Sequence, residues 1–316
     1  MLESLAIVAL VAACSGESDD PSSTGDMNPA QGANAGQVSD SCQPPDILFM
    51  LDRTLSMAVP TDASYPDAHD PNVRQLQTKW GIANQAVKDL TQRLATTIRP
   101  GLGLFPRNPG PDAQGERCVP LETQMVNRYN RDHNMPPLSP ARNTACEAGE
   151  ILVNPDAQAA AAIQTAIGTD STLLCASTPI GAGLQSAETA LAGIAAPGRP
   201  QYVVLLTDGA DTCEEEGVDP AEAPSTQRVQ ALAAAGIKTY VISFSGAVRP
   251  ARLNQLACAG RTATDLDTNC HKDSAGNYSA NETDAQLYLV AENKDSLESA
   301  LRSIAGQVCC DCASLI

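Results

Sequence analysis

The sequence has few basic residues and few histidines, and both shortages restrict what the protein can bind or do. Its 316 residues include 20 lysines and arginines against 37 acids, a formal net charge of −17. This imbalance argues against nucleic acid and anionic membrane surfaces as electrostatic partners and favours cations. The three histidines, His69, His133 and His271, fall in predicted loops, and none belongs to a zinc-binding or nucleophile motif. A catalytic triad assembled in space from distant residues stays open.

A long hydrophobic run is also missing, because the apolar segment at residues 5–13 is too short to cross a bilayer. It ends in Val11-Ala12-Ala13-Cys14, which resembles the lipobox of bacterial lipoproteins although residues 1–4 carry no basic residue. The resemblance implies cleavage before Cys14 and a lipid anchor on it. An ordinary cleaved signal peptide and a buried helix stay as alternatives. Under either signal interpretation the chain is exported, and we expect it on the bacterial cell envelope, at the outer membrane or cell surface.

Cysteine is abundant, with eleven residues, and setting Cys14 aside leaves an even ten. This number favours disulfide bonds in an oxidising compartment, with pairings that the sequence leaves open. The C-x-x-C pattern at residues 309–312 lacks a second pair at zinc-ligand spacing and is interpreted as structural cystine rather than as a redox or zinc motif.

Composition divides the chain into four parts. Residues 14–41 are rich in Gly, Ser, Asp and Asn and predict a disordered tether. The predicted parts are a signal peptide (1–13), the tether (14–41), one domain (42–308) with an insertion at about 107–148, and a Cys-rich tail (309–316). Cys118 and Cys146 lie near the ends of the insertion, which we expect to be stapled by cystines.

Apolar runs typical of buried strands alternate with helical patterns along the domain. Predicted strands cover residues 46–51, 101–106, 150–154, 201–207, 237–244 and 286–291, and a long amphipathic helix covers 76–98. The alternation predicts an α/β fold: a doubly wound, mostly parallel sheet flanked by helices, with disulfide-stapled insertions.

Oxygen-bearing side chains follow the ends of two of these strands. Asp52, Thr54 and Ser56 come after the first strand, and Asp208 follows the strand at 201–207. Because parallel strands end at one edge of a sheet, where such sheets bind ligands, we expect these groups to converge. Thr178 lies at the start of a predicted helix, where a loop that faces the same edge could add a further hydroxyl oxygen. Hard oxygen donors in loops favour Mg²⁺.

The segments Asp46-Ile-Leu-Phe-Met-Leu-Asp52-Arg-Thr54-Leu-Ser56, Thr178-Pro-Ile-Gly and Val-Val-Leu-Leu-Thr-Asp208-Gly resemble, in this order, a von Willebrand factor type A domain. The resemblance implies a metal-ion-dependent adhesion site that binds Mg²⁺, or Mn²⁺ or Ca²⁺. It assigns the metal ligands to Asp52, Thr54, Ser56, Thr178 and Asp208. It also implies a protein partner whose exposed Asp or Glu completes the coordination, and binding rather than catalysis. Thr54 stands where Ser is typical, and Leu55 where a small residue is typical.

Two other functions stay open from the sequence. One is an envelope scaffold whose metal site is structural or decayed, and the other is a metal-assisted hydrolase. The hydrolase requires a general base near the metal, and no ligand-bearing loop offers an obvious one. The oligomeric state is not readable from the sequence.

Two acidic segments have less specific patterns. Cys213-Glu214-Glu215-Glu216 is interpreted as a solvated acidic loop, with a second cation site as the alternative. Asp265-Leu-Asp267-Thr-Asn269 begins like a calcium loop but has Cys270 where Gly is required, and a polar hairpin is the preferred interpretation.

Overall fold

The computed structural model describes residues 43–61, 77–108, 118–136, 146, 148–169, 173–209, 211–244, 249–281 and 285–308. Cys14, the tether and the tail at residues 309–316 lie outside these ranges, so the statements about them stay predictions. Within the described ranges, no helix is long and apolar enough to cross a membrane.

The described elements alternate between strands and helices, as the sequence predicts. The strands are β1 (Asp46–Asp52), β2 (Arg99–Phe105), β3 (Cys118–Pro120), β4 (Glu150–Val153), β5 (Leu173–Cys175), β6 (Gln201–Thr207), β7 (Lys238–Phe244), β8 (Cys270–Lys272), β9 (Tyr278–Ala280) and β10 (Leu289–Ala291). The helices are α1 (Lys79–Arg93), α2 (Leu121–Asp132), α3 (Ala159–Thr169), α4 (Ile180–Ile194), α5 (Pro224–Ala234), α6 (Pro250–Ala259), α7 (Leu266–Asn269) and α8 (Lys294–Val308).

A six-stranded sheet in the order β10-β7-β6-β1-β2-β4 forms the centre of the domain. The neighbours from β10 to β2 are parallel, and β4 runs antiparallel to β2 at one edge. Helices cover both faces. The fold prediction is therefore confirmed: an α/β architecture with a mostly parallel sheet flanked by helices.

Strand β1 is buried on both faces, which explains its uninterrupted apolar run. Ile47, Phe49 and Leu51 belong to the core cluster that includes residues of α1, α3 and α8. Leu48 and Met50 belong to the opposite cluster, with residues of α4, α5 and α6. Burying each such side chain contributes about 1.5–3 kcal/mol, so β1 is firmly fixed and its carboxyl end is a rigid base for the residues that follow.

Helix α1 is shorter than its apolar pattern suggests. It begins at Lys79, where the side chain of Thr78 accepts a hydrogen bond from the Gly81 amide, and it ends at Arg93. Leu94 and Ile98 continue the apolar period but lie in the turn before β2, where both are buried in the same core. The apolar period therefore continues past the end of the helix, because it reflects burial of these residues and not helical structure alone.

Disulfide bonds tie the insertion to the end of β5 and to the loop that follows β6. Cys118 pairs with Cys175 and Cys146 with Cys213, and β3 of the insertion is antiparallel to β5. A third bond joins Cys258 to Cys270. Cystines thus fix the insertion at both of its ends, in pairings that the sequence left open.

The acidic segment after residue 265 forms a short helix and a hairpin, as preferred from the sequence. Asp267 and Asn269 lie in α7, and β8 pairs antiparallel with β9. Asp273 in the connecting turn accepts hydrogen bonds from the backbone and side chain of Asn277. The segment is a polar hairpin rather than a calcium loop.

The close packing of α4 on the sheet gives a stability prediction. A Cβ at Gly183 would lie 2.9 Å from both Cβ and Cγ of Phe105, so Gly183→Ala is expected to lower the free energy of unfolding by about 1–3 kcal/mol. Gly193, on the same helix, has nothing within 4 Å of such a Cβ, and Gly193→Ala is expected to raise it by about 0.5–1 kcal/mol. Urea unfolding of both variants measures the two effects. A Gly183→Ala protein as stable as the wild type would contradict this packing.

Candidate metal centre

The candidate site lies at the carboxyl edge of the sheet, between two neighbouring strands. Asp52 is the last residue of β1, and Asp208 directly follows β6. The two strands are parallel and in register, with Leu51 opposite Leu206. The structure therefore places both aspartates at one edge, as expected from their positions after buried strands.

The Asp-x-Thr-x-Ser segment is ordered by one turn of 3₁₀ helix, Leu55–Ala58. Met57 and Ala58 are buried in the core, and Leu55 is half-buried and packs against the same cluster. Ser56 is exposed. Leu55 thus anchors the turn on the core, and this packing gives its large side chain a structural role.

Four of the five predicted ligands are joined by one chain of hydrogen bonds. Asp52, which is 0% exposed, accepts a bond from the Thr54 amide at 2.8 Å. The hydroxyls of Thr54 and Ser56 lie 3.0 Å apart, and Ser56 donates to Oδ1 of Asp208 at 2.8 Å. Two loops that are more than 150 residues apart in sequence are therefore joined in one hydrogen-bond network.

Thr178 borders this network from the turn before α4. Its amide donates to the hydroxyl of Thr212 at 2.7 Å, and its carbonyl accepts from the amides of Thr212 and Ile180, each at 3.1 Å. The strand before it runs beside the Thr54 loop, because the Cys175 amide donates to the Arg53 carbonyl at 2.9 Å. Thr178 is thus held between the other two loops, while its own hydrogen bonds run to Thr212 and Ile180.

Two residues that the sequence analysis did not single out position these loops. Thr207 donates from its hydroxyl to Oδ2 of Asp52 at 2.6 Å. Asp211 accepts from the Gly181 amide at 2.8 Å and from the Cys213 amide at 2.7 Å, and so caps the start of α4. Burial raises the pKa of Asp211 to about 6, against the effect of these amides. The sequence could have pointed to both through their closeness to Asp208, since Thr207 directly precedes it and Asp211 follows three residues later.

A lysine also enters the site, which the sequence analysis did not predict. Nζ of Lys79, the first residue of α1, lies 2.8 Å from Oδ2 of Asp208, and the two side chains are 11% and 4% exposed. Asp208 therefore has one oxygen bonded to Ser56 and the other to an ammonium group. A basic residue in the first turn of a helix opposes the helix dipole, and that anomaly was the only signal for Lys79 in the sequence.

Burial and the neighbouring acid make Asp52 a weaker acid than usual. Desolvation, and secondarily the charge of Asp208, raise the pKa of Asp52 from 3.8 to about 7, while hydrogen bonds from Thr207 and Thr54 act in the opposite direction. A metal cation beside Asp52 would favour its ionised form over its protonated form. The site is thus built so that a positive charge beside Asp52 is stabilising.

The donor set suits a hard divalent cation. Asp52 and Asp208 offer carboxylates, and Thr54, Ser56 and Thr178 offer hydroxyl oxygens, which are the ligand types that Mg²⁺ and Mn²⁺ prefer. Across the described residues, no group of three or more His, Cys, Asp or Glu is placed to hold a metal. A metal here would therefore be held by two carboxylates supplemented by hydroxyls.

The acidic segment after Cys213 is not a uniformly solvated loop. Glu214 is buried, accepts from the Ser225 amide at 2.7 Å and pairs with Arg252. Arg252 also donates to the Val218 carbonyl at 3.1 Å. Because the Glu214 carboxylate is neutralised by a guanidinium group, this segment provides a structural ion pair rather than a second cation site. Glu215 and Glu216 are exposed, as expected.

Comparison with known proteins identifies a family over part of the chain. Residues 154–275 match the family model of the von Willebrand factor type A domain, a range that includes Thr178 and Asp208 but begins after Asp52, Thr54 and Ser56. No curated protein sequence matches the chain.

Several solved structures are similar to the chain at low identity. A von Willebrand factor type A protein from Catenulispora acidiphila is 13% identical with a TM-score of 0.47, over 84% of this chain and 43% of that one. Manganese-loaded TRAP protein of Plasmodium vivax is 12% identical (TM-score 0.43; 82% and 73% covered). Proximal thread matrix protein 1 of the mussel byssus, with a zinc-occupied MIDAS motif, is 14% identical (TM-score 0.38; 83% and 47% covered). The chain thus spans less than half of the first and the third of these proteins.

The raised pKa of Asp52 predicts how stability depends on pH when metal is chelated. The unfolded chain releases this proton near pH 4 and the folded protein near pH 7. The proton on Asp52 therefore adds its full contribution to the free energy of unfolding below about pH 4, and this contribution is lost as the pH rises to about 7. Asp52→Asn removes this loss. Relative to wild type, its free energy of unfolding is expected to rise by on the order of 1.4 kcal/mol per pH unit across that interval.

Urea unfolding in EDTA at pH 4.5 to 7.5 measures this difference. Asp267→Asn, which removes an exposed acid, is the control for loss of one carboxylate and is expected to show no comparable trend. A constant difference between wild type and Asp52→Asn would contradict the prediction.

Proposed function

The chain contains a von Willebrand factor type A domain, and we propose that it is a cation-dependent protein-binding module of the bacterial cell envelope. In this proposal Asp52, Thr54, Ser56, Thr178 and Asp208 bind Mg²⁺, with Mn²⁺ and Ca²⁺ as alternatives. The bound ion then takes a carboxylate oxygen from an exposed Asp or Glu of a partner protein. The observation that carries the proposal is the hydrogen-bond network that unites Asp52, Thr54, Ser56 and Asp208.

The charge of the donor set explains why a partner carboxylate fits this role. Two carboxylates neutralise a divalent cation formally, and the hydroxyl ligands add no further charge. When bound, the ion supplies a Lewis-acidic position with affinity for one more anionic oxygen. The ion also makes an acidic partner compatible with a chain whose net charge is −17.

Binding rather than catalysis is the activity that the neighbouring acids support. A hydrolase needs a general base beside the metal. Asp211 is engaged by the amides of Gly181 and Cys213, and Glu214 by Arg252 and the Ser225 amide. Both acids next to the Asp208 loop therefore hold structure together, so we propose that the protein is not an enzyme.

One observation favours a second candidate function. The ammonium group of Lys79 lies on Oδ2 of Asp208, where it supplies positive charge from within the chain. A scaffold protein whose site no longer takes a metal would have this arrangement. In that case the domain would organise envelope complexes through surfaces that do not depend on a cation.

The location follows from the N-terminal sequence. We propose that Cys14 carries the lipid anchor and that residues 14–41 tether the domain to the envelope. The disulfide bonds Cys118–Cys175, Cys146–Cys213 and Cys258–Cys270 support an exported protein, because such bonds persist in oxidising compartments.

Metal binding predicts a thermal shift that depends on Asp52. Saturating Mg²⁺ or Mn²⁺ is expected to stabilise the wild type by about 2.7 kcal/mol at 100 times the Kd, and EDTA to reverse this. Asp52→Asn is expected to lose the shift. Differential scanning fluorimetry measures the change in Tm.

Asp46→Asn is the matched control. Asp46 is equally buried at the other end of β1 and pairs with Arg99 at 2.7 Å, so its variant loses a buried charge while the candidate site stays intact. It is expected to have a lower Tm and the full metal-dependent shift. If metal shifted the Tm of wild type and Asp52→Asn equally, the site would be elsewhere.

If the partner is held through its carboxylate, we expect its capture to require both the metal and that carboxylate. Immobilised protein is expected to capture a partner from envelope extract in Mg²⁺ and to lose it in EDTA or with Asp208→Asn. Amidation of the extract's carboxyl groups with carbodiimide and glycinamide is expected to abolish capture, with a mock-treated extract as control. Capture that survived amidation would argue for a surface independent of the metal.

A further inference from the structure

Lys79 contacts the same carboxylate that the proposed metal requires. Its Nζ lies 2.8 Å from Oδ2 of Asp208, and Oδ1 of Asp208 accepts from Ser56 at 2.8 Å. Both oxygens of Asp208 are therefore engaged by groups of the chain itself. The ion pair is largely withdrawn from water, since the lysine side chain is 11% exposed and the aspartate side chain 4%.

The position of Lys79 in the fold makes Asp208 its essential counter-charge. Lys79 begins α1, where the unpaired amides of the first turn carry partial positive charge, and no acidic residue lies in that turn. The Thr78 side chain caps the helix through the Gly81 amide. An ammonium group at this end of a helix is unfavourable unless an anion balances it, and Asp208 is the anion that the structure provides.

A divalent cation and this ammonium group cannot both lie against Asp208 without strong repulsion. Like charges a few ångströms apart in a poorly solvated site repel strongly. The Lys79 side chain, in contrast, has a flexible four-carbon stem and can move its charged end into water. Binding of the cation therefore displaces the lysine rather than adding to it.

We propose that Lys79 competes with the metal for Asp208. Its ammonium group pairs with the Asp208 carboxylate in the metal-free protein and must move away from it when a divalent cation binds. The proposal rests on the proposed metal site and deepens it, because it names a residue that sets the affinity of that site. Lys79 keeps Asp208 neutralised in the absence of metal and raises the cation concentration needed to fill the site. It also couples filling of the site to a movement of the Lys79 side chain into water.

Measured metal affinity tests the competition. Lys79→Met keeps an unbranched side chain that is one atom shorter and removes its charge, and we expect it to bind Mn²⁺ roughly tenfold more tightly than wild type, or better. Lys79→Arg retains the charge and is expected to bind no more tightly than wild type. Isothermal titration calorimetry gives the three dissociation constants, and circular dichroism establishes that each variant is folded.

Displacement can also be read in the wild type, without any substitution. Acetylation by an N-hydroxysuccinimide ester, located by peptide mass spectrometry, reports how accessible each lysine is. Adding Mg²⁺ is expected to increase labelling of Lys79 several-fold, because its amine moves into water. Lys238, exposed at the start of β7 on the opposite edge of the sheet, is the internal control and is expected not to change.

The outcomes separate this inference from the proposed function. Wild type that binds metal as tightly as Lys79→Met, with unchanged labelling of Lys79, overturns the competition and leaves the metal site standing. Binding by Lys79→Met but not by wild type supports the competition and overturns the proposed function of the native chain. Absence of binding in all three proteins, each shown to be folded, overturns both.

Discussion

The burial of two carboxylates at the carboxyl edge of the sheet is the constraint on which the site depends. Asp52 is fully buried at the end of β1, and Asp208 follows the neighbouring strand. Asp208 pairs with the ammonium group of Lys79. Burial, and secondarily the charge of Asp208, raise the pKa of Asp52 to about 7, so this carboxyl group holds a proton below neutral pH. A divalent cation bound here, as we propose, would make this burial of charge favourable.

The rest of the fold holds this unfavourable pair in place. The apolar side chains of β1 bury both faces of the strand, so Asp52 cannot move toward water. The 3₁₀ turn is fixed by Met57, Ala58 and the packing of Leu55. The insertion adds covalent restraint, since its two disulfide bonds end at Cys175 and Cys213, close in sequence to Thr178 and Asp208. Hydrophobic packing and cystines thus hold the two acids in place although burial of their charges is unfavourable.

Much of this arrangement could be predicted because it follows from local pattern. Uninterrupted apolar runs give buried strands, and acids directly after them give a site at the edge of a parallel sheet. Strands β1 and β6 and helix α4 appear where the sequence predicts them. Other elements depend on distant contacts: the apolar period of α1 runs past the helix because Leu94 and Ile98 pack in the following turn. In the sequence Glu214 is one of three consecutive acids, and only the fold shows that Arg252 of α6 pairs with it.

The sequence by itself determined the alternating α/β order, the two aspartates at the strand ends and the hydroxyl residues around them, because these depend on neighbours along the chain. Only the tertiary structure decided which groups touch those aspartates. Thr207 reaches Asp52 because β1 and β6 are adjacent, and Lys79 reaches Asp208 because α1 starts beside the same edge. The disulfide pairings were likewise decided by folding. Such contacts join residues far apart in sequence, and no local pattern encodes the distance between them.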